Sequence, residues 1–192
     1  MKKVFFLFFA LSFVLAPVFS QQNSDATSGA AANLILNHYA ARNFVEGAIP
    51  SSDLDTIIKA GIRAPSAGNR QPWHFTVVQN LDLVKQIVSG SVSGNVLIVV
   101  SAQGDGKTNG VQILDCALAV QSIYLAAQAL GYGSRIYTGP IDTVNSRFKT
   151  QLGLPSGYNA VALVKVGKLQ GQVDAVTAAS SRKNAQDLVT YK

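Results

Sequence analysis

A polar loop of ten residues has the residue types and spacing that best suit chemistry. It covers residues 66–75 and reads SAGNRQPWHF. Asn69 and Gln71 each carry a hydrogen-bond donor and an acceptor, which suits a ligand edge of mixed polarity. The alternative is a turn whose polar side chains bond only to their own backbone. Trp73 and Phe75 are expected to pack in the hydrophobic core rather than against a ligand.

Two regular elements must position this loop. Before it, residues 53–63 form an amphipathic segment that ends at the helix-breaking pair Ala64-Pro65. After it, the apolar run FTVV at 75–78 predicts a buried strand. Loops that rigid elements fix at both ends commonly carry binding and catalytic residues.

The rest of the chain predicts an α+β fold. Continuous apolar runs at 95–101 and 160–167 indicate two buried strands covered by helices on both faces. The longest helix is expected over the alanine-rich residues 110–130, stopped by Gly131. The remaining expected elements are a short strand at 134–137, a helix at 33–41, a helix capped by Ser52, and a helix capped by Asp142 that runs to Leu152.

The pattern A-P-S-x-x-N-x-Q-P-W-x-F, formed by residues 64–75, resembles the nitroreductase family of flavin mononucleotide (FMN) enzymes. The resemblance extends from about residue 33 to the end of the chain and is strongest in the loop and in residues 131–167. It implies that Ser66 and Asn69 line the flavin ring or the ribityl chain, and that Gln71 supports the loop.

Two further segments are implied by the resemblance to hold the FMN phosphate. In residues 38–44 the family usually reads R-R-S-x-R-x-F/Y. Arg42 matches this pattern, whereas His38 and Ala40 stand where Arg and Ser are usual. Arg182 keeps the second position of a late K-x-R pair, and Arg42 is the principal candidate for the phosphate or ribityl chain. The alternatives are a solvated charge for Arg42, a partly buried histidine for His38 and an exposed tail charge for Arg182.

A second turn, Thr138-Gly139, is implied to bring a backbone N–H near N5 of the flavin. Gly139 permits a close approach of the backbone. By resemblance the reaction is a ping-pong hydride transfer. NAD(P)H or another donor reduces FMN at N5, and a nitroaromatic, quinone or similar small aromatic acceptor is then reduced. No side chain of the protein is expected to be catalytic, because this chemistry belongs to the cofactor.

For the architecture, the resemblance implies a nitroreductase-like three-layer α/β/α sandwich with a small, mainly antiparallel sheet and an extended C-terminal arm. It also implies a domain-swapped type of homodimer. In this dimer, Pro65 and Ser66 of one subunit reach the flavin of the other.

The N-terminus predicts export. Lys2 and Lys3 precede an apolar run at 4–16, which is typical of a secretory signal peptide. This run is shorter than the roughly 20 residues that a membrane span requires. We therefore expect a signal peptide at 1–20, a flexible leader at 21–32 and one nitroreductase-like domain at 33–192. The mature protein would be periplasmic or secreted, without a membrane anchor.

Composition narrows the remaining functions. The chain has 192 residues, of which 48% are hydrophobic and 14% charged, as in a globular domain. Loss of Lys2 and Lys3 lowers the formal net charge from +6 to +4, without a long basic run, so we expect no nucleic-acid partner. A single cysteine, Cys116, excludes an intramolecular disulfide and is expected to be buried and inert. With only two histidines, we expect no metal site.

Two alternatives to a reductase stay open. One is a flavin-binding redox carrier with little turnover. The other is a secreted scaffold that has lost FMN. The degenerate phosphate segments favour these alternatives, as does the scarcity of pyridine nucleotides outside the cell. The intact loop favours the reductase.

Overall fold

The computed structural model describes residues 29–104, 110–171 and 181–192. The predicted signal peptide and most of the predicted leader lie outside the described residues. In chain order, the elements are α1 (Ala30–Asn37), α2 (Ser51–Ile62), a 3-10 turn (Ala67–Asn69), β1 (Trp73–Val78), α3 (Leu81–Ile87), β2 (Val96–Gln103), α4 (Gly110–Ala129), β3 (Gly133–Tyr137), α5 (Ile141–Thr143), a π-helical turn (Val144–Phe148), β4 (Tyr158–Gly167) and a second 3-10 turn (Ala185–Asp187).

The strands form one antiparallel sheet in the order β1-β2-β4-β3. In its centre, Val99 of β2 lies opposite Thr76 of β1 and Leu163 of β4. The register of β2 against β4 shifts between Val100 and Ser101, which marks an irregularity at that point. The small antiparallel sheet expected from the resemblance is confirmed.

Helices cover both faces of this sheet. One face packs against α2 and α4, with Ile57 and Ile123 fully buried in that core. The other face packs against α3 and the region after α5, with Val84 and Val144 fully buried there. The two central strands therefore have no solvated face, which explains why their sequences are apolar throughout. The predicted three-layer sandwich is confirmed.

Helix α4 is apolar around its whole circumference. Its length and composition would also suit a membrane span, with a mean hydropathy of 1.4, but its buried side chains form the core against the sheet. Cys116 on this helix is fully buried. Burial, followed by the charge of Asp115, raises the pKa of the Cys116 thiol to about 11. A thiol with that pKa is almost entirely protonated at neutral pH, as expected for an inert cysteine.

Several local expectations were wrong. Helix α1 begins at Ala30, inside the predicted leader, and ends before His38, not at residue 41. Ser52 and Asp142 do not cap their helices, since Pro50 and Pro140 occupy the N-cap positions with φ of −56° and −77°. Proline fixes φ near these values and so sets the start of each helix.

Two further elements differ from the sequence expectations. A π-helical turn follows α5 and ends at Phe148, so no continuous helix reaches Leu152. Strand β1 is an edge strand in which only Val78 is fully buried. Trp73 and Phe75 pack against the core as partly buried rings, with centroids 6.3 Å apart.

A lysine lies in the interior of β4. Lys165 is only 2% exposed. Its ammonium lies 4.5 Å from the ring centroid of Phe44 and 5.8 Å from that of Tyr137. Burial lowers the pKa of Lys165, and the charge of Arg135, its cross-strand neighbour in β3, lowers it further. The buried charge therefore opposes folding, and the cation–π contacts offset only part of the cost.

Replacing Lys165 with methionine is expected to raise the free energy of unfolding at pH 7 by about 1 kcal/mol, because the side-chain volume is kept and the buried charge is removed. The folded pKa of Lys165 lies below its ordinary 10.5. Between these two values the unfolded chain binds more protons, so wild-type stability rises with pH there. The advantage of the variant should shrink as the pH approaches 10.5.

Urea unfolding of both proteins at several pH values checks this prediction. Lys59→Met serves as the matched control, because Lys59 is exposed on α2. A difference between wild type and Lys165→Met that stays constant with pH, as the control is expected to give, would contradict the explanation.

Candidate functional site

Several hydrogen bonds hold the polar loop in one shape. The N–H of Ala67 donates to Oδ1 of Asp115 at 3.0 Å, which ties the loop to α4. The N–H of Gln71 donates to Oγ of Ser66 at 3.0 Å. The side-chain amide of Gln71 donates to Oδ1 of Asn69 at 3.1 Å. The first bond anchors the loop, and the other two close it on itself.

The loop also stores backbone strain. Asn69 and Gln71 have φ of 53° and 48°, in the left-handed region that side chains other than glycine rarely adopt. Asparagine tolerates this region, whereas glutamine is expected to lose about 1 kcal/mol or more. Strain that surrounding bonds maintain in an exposed polar loop is typical of a functional site.

A groove with a volume of about 400 Å³ opens beside the loop. Its lining combines apolar side chains with amides and one guanidinium. The lining residues are Ile62, Arg63, Ala64, Pro65, Asn69 and Gln71.

The segment that carries His38, Ala40 and Arg42 is fixed through its backbone. The side-chain amide of Gln128 on α4 donates to the carbonyl of Tyr39 at 2.8 Å and accepts from its N–H at 3.3 Å. The N–H of the next residue but one, Ala41, donates to the carbonyl of Ser134 in β3 at 3.0 Å. The segment is thereby bonded to both α4 and β3, with Ala40 and Arg42 exposed.

His38 and Arg182 both act on Tyr124, although they are remote in sequence. The His38 ring contacts the Tyr124 ring edge-on, with centroids 5.6 Å apart. Burial raises the pKa of Tyr124, while its bond to Gln128 and the charge of Arg182 act in the opposite direction. The charge of Arg182 therefore acts on the same tyrosine that His38 contacts.

The ring of His38 has a defined proton position. Its Nδ1 lies within hydrogen-bonding distance of the carbonyl of Ile35. Because a carbonyl oxygen only accepts, Nδ1 carries the proton. Nε2 is then the ring nitrogen that is left for a ligand.

The turn Thr138-Gly139 lies at the end of β3 and is exposed. A Cβ added to Gly139 would meet no protein atom within 4 Å, and the φ of Gly139 is not in the left-handed region. Neither the backbone conformation nor the packing of the subunit therefore requires glycine here. A requirement for glycine would have to come from a ligand that approaches this turn.

Distances along the elements divide the predicted residues into two groups. Ala41 is bonded to Ser134, four residues before Thr138 in β3, which is roughly 13 Å along the strand. The loop is bonded to Asp115, thirteen residues before Gln128 in α4, which is roughly 20 Å along the helix. Within one subunit, the anchor of the loop therefore stands roughly 20 Å along α4 from the anchor of the 38–42 segment.

The predicted site residues are exposed except for His38 and Ser66, which are half-buried, and they belong to these two groups. The first group consists of His38, Ala40, Arg42, Thr138, Gly139 and Arg182. The second group, in the loop, consists of Pro65, Ser66, Asn69 and Gln71.

Sequence reasoning missed the side chains that hold both groups in place. Asp115 and Gln128 on α4 anchor the loop and the 38–42 segment, and Tyr124 contacts the ring of His38. One signal was available, since Asp115 is the only carboxylate in the apolar helix α4. A buried carboxylate needs a donor, so its position indicated a partner on another element.

Known proteins give a direct comparison. Residues 35–95 and 92–168 match the model of the nitroreductase family. A protein of Archaeoglobus fulgidus, named as an NADH dehydrogenase/NAD(P)H nitroreductase, is 30% identical over 151 residues, which cover 73% of this chain and 86% of the relative. A protein of the same name from Methanothermobacter thermautotrophicus is 32% identical over 135 residues, which cover 66% of this chain and 70% of the relative.

Solved structures agree. A nitroreductase from Desulfovibrio desulfuricans in complex with FMN is 25% identical, with a TM-score of 0.70 over 84% of this chain and 95% of the other. A nitroreductase with bound FMN from Desulfitobacterium hafniense is 25% identical, with a TM-score of 0.69 over 84% and 97%. The fold and the constrained loop thus define an α/β/α sandwich protein of this structural class. The chain belongs to the nitroreductase family.

Proposed function

We propose that this protein is an FMN-dependent oxidoreductase that takes hydride from NAD(P)H and reduces a small aromatic acceptor such as a nitroaromatic or a quinone. The names of its relatives and the FMN in the related crystal structures support this proposal. The observation that carries it is the backbone-fixed segment that holds His38 against Tyr124 and leaves Arg42 exposed, with the charge of Arg182 acting on the same tyrosine.

The chemistry of the available donors fits FMN. Arg42 and Arg182 supply positive charge and N–H donors for a phosphate, and the Nε2 of His38 adds a donor when its ring is protonated. The 38–42 segment is bonded to Ser134, and the roughly 13 Å along β3 from Ser134 to Thr138 leave room for a ribityl chain. The space beside Gly139 is open to a flat ring. The small, exposed side chain of Ala40 leaves room for a ligand beside the 38–42 segment. When bound, FMN supplies the hydride-accepting and hydride-donating centre, while the protein binds and orients the reactants.

The loop fits the same site only if it comes from a second copy of the chain. The loop is anchored at Asp115, roughly 20 Å along α4 from Gln128, which fixes the segment of the predicted phosphate-binding residues. This applies to all four loop candidates, Pro65, Ser66, Asn69 and Gln71. A homodimer in which two α4 helices pack together would exchange these loops. Ser66 and Asn69 would then complete the flavin site of the other subunit.

The exposed face of α4 supports this dimer. Val111, Leu114 and Leu118 recur at helical spacing and are 46%, 66% and 46% exposed. On α1, Ile35 and Leu36 are 51% and 78% exposed. Adjacent exposed apolar side chains of this size are typical of an interaction surface. Asp115, which anchors the loop, directly follows Leu114.

The visible spectrum of the purified mature chain with FMN tests the function. A yellow protein that bleaches on addition of NADPH and recovers with a nitroaromatic supports the reductase. A yellow protein that stays yellow supports the redox carrier. A protein that remains colourless at high FMN concentration would leave only the scaffold.

Replacing Arg42 with alanine is expected to weaken FMN binding by about 10- to 100-fold, because one charge-assisted hydrogen bond contributes roughly 1.5–3 kcal/mol. Quenching of FMN fluorescence on titration measures the dissociation constant. Arg147→Ala is the matched control, because it removes an exposed arginine from the turn after α5. Equal affinity in the Arg42→Ala and Arg147→Ala variants would show that Arg42 does not bind the phosphate.

We also propose that the protein is exported and acts in the periplasm or outside the cell. The basic and apolar pattern of residues 1–20 supports this. The mass of the protein recovered from the extracytoplasmic fraction tests it. A mature N-terminus near residue 21 is expected, and a full-length protein confined to the cytoplasm would refute export.

A further inference from the structure

The groove beside the loop has one charged residue among those that line it. Ile62, Ala64 and Pro65 give it an apolar wall, and Asn69 and Gln71 add amides. Arg63 is the charged lining residue, and no carboxylate lines the groove among the described residues. Such a lining combines a surface for a flat apolar group with a positive charge.

The backbone of Arg63 is fixed while its side chain is exposed. This residue ends α2, and its N–H donates to the carbonyl of Lys59 at 3.0 Å. Within residues 29–104, 110–171 and 181–192, no hydrogen bond or ion pair engages its guanidinium. A guanidinium presents several N–H donors in a rigid plane and matches the oxygens of phosphate and carboxylate.

The neighbouring charges do not neutralise this position. Arg70 lies on the same loop, with its Nε 3.7 Å from where a Cβ on Gly68 would stand, and it adds positive charge. The closest charge on α2 in sequence, Lys59, is also positive. Asp115 engages the loop through the N–H of Ala67.

We propose that Arg63 binds the anionic group of a reactant that enters this groove, a phosphate of the nicotinamide donor or a carboxylate of the acceptor. The inference rests on the proposed function, because the loop that borders the groove is the one that reaches the second subunit's site. Ile62 and Pro65 contact the apolar part of the reactant, and Arg63 selects reactants that carry negative charge.

The test compares charged and neutral reactants in the FMN-loaded protein. NADPH and 1-benzyl-1,4-dihydronicotinamide form the donor pair, and 4-nitrobenzoate and 4-nitrobenzamide form the acceptor pair. In Arg63→Ala, kcat/KM is expected to fall about 10- to 100-fold for at least one charged member and to change less than about threefold for its neutral counterpart. A loss confined to NADPH identifies the donor, and one confined to 4-nitrobenzoate identifies the acceptor.

Two variants sharpen the comparison. Arg63→Lys keeps the charge and is expected to restore part of the lost kcat/KM. Arg70→Ala removes a neighbouring charge that does not line the groove, and it is expected to affect charged and neutral members alike. Equal losses on charged and neutral reactants in Arg63→Ala, or no loss, would overturn the inference while leaving the proposed function intact.

Calorimetry provides a readout that does not require turnover. If NADPH is the charged reactant, NADP⁺ is expected to bind Arg63→Ala at least tenfold more weakly than wild type. If wild type accepts electrons from neither NADPH nor 1-benzyl-1,4-dihydronicotinamide, the proposed function fails. If NADP⁺ in addition binds wild type and Arg63→Ala with equal affinity, the role of Arg63 is overturned as well.

Discussion

Replacing Leu114 with glutamate is expected to produce a folded monomer that no longer retains FMN. Leu114 is 66% exposed and lies between Val111 and Leu118 in the apolar stripe of α4. In a monomer the new carboxylate faces water, so the fold should tolerate it. In a dimer the carboxylate would be buried against apolar side chains. Because a twofold interface contains two copies of residue 114, the free-energy cost of burying the charge would apply twice.

The expected magnitude is large. A central interface residue contributes on the order of 2 kcal/mol or more, and two copies together would weaken dimerisation by about 1,000-fold. FMN affinity should fall with it, because each flavin site would lose the loop of the other subunit. Light scattering after size-exclusion chromatography gives the mass, fluorescence quenching gives the FMN affinity, and thermal unfolding reports on the fold.

Val77→Glu is the control for this experiment. Val77 is also an exposed apolar residue, at 38%, but it lies in the edge strand β1, where charged side chains are well tolerated. It should leave mass and FMN affinity unchanged. If Leu114→Glu remains a dimer with wild-type FMN affinity, the α4 face is not the subunit interface.

Elements with a strong local pattern could be predicted from the sequence. The apolar runs of β2 and β4 located those strands to within two residues. Gly131, with φ of 83°, lies just after the end of α4, as expected for a residue that stops the helix. Helix α3 was missed because it is short. Its N-cap was nonetheless present in the sequence, since Asn80 accepts from the N–H of Leu83.

The candidate site was likewise predictable only in part. Its loop could be found from residue types at fixed spacing, but its anchors could not. The bond between Ala67 and Asp115 joins residues 48 positions apart, and the bonds between Tyr39 and Gln128 join residues 89 apart. Local periodicity carries no information on such pairs. The left-handed conformation of Gln71 was also unpredictable, since hydrogen bonds within the folded loop help to maintain it.

Replacing Asp115 with alanine is expected to weaken FMN binding and to lower kcat/KM by about 10- to 100-fold each. The substitution leaves the N–H of Ala67 without its acceptor, which costs about 1–3 kcal/mol in a partly buried place. The loop also contains two left-handed residues, Asn69 and Gln71, and it should relax once this anchor is lost. Because the proposed dimer places the loop at the flavin site of the second subunit, the loss should appear at that site rather than in the core.

Asp115→Asn separates the hydrogen bond from the charge. Asparagine keeps an acceptor oxygen at the same position but makes a neutral bond, weaker by about 1 kcal/mol. FMN affinity should therefore fall in the order wild type, Asp115→Asn, Asp115→Ala. Ser122→Ala is the matched control on the same helix, because the hydroxyl of Ser122 bonds to the carbonyl of Leu118 within α4 and not to the loop in the part of the chain that the structure describes.

Hydrogen exchange of the Ala67 amide identifies the cause of any loss. This amide is expected to exchange slowly in wild type and Ser122→Ala, and much faster in Asp115→Ala. Faster exchange combined with weaker FMN binding would mean that the rigidity of the loop is needed to bind the cofactor. Faster exchange with unchanged FMN affinity would mean that the loop adopts its bound shape without Asp115, and the anchor would then have no part in the site.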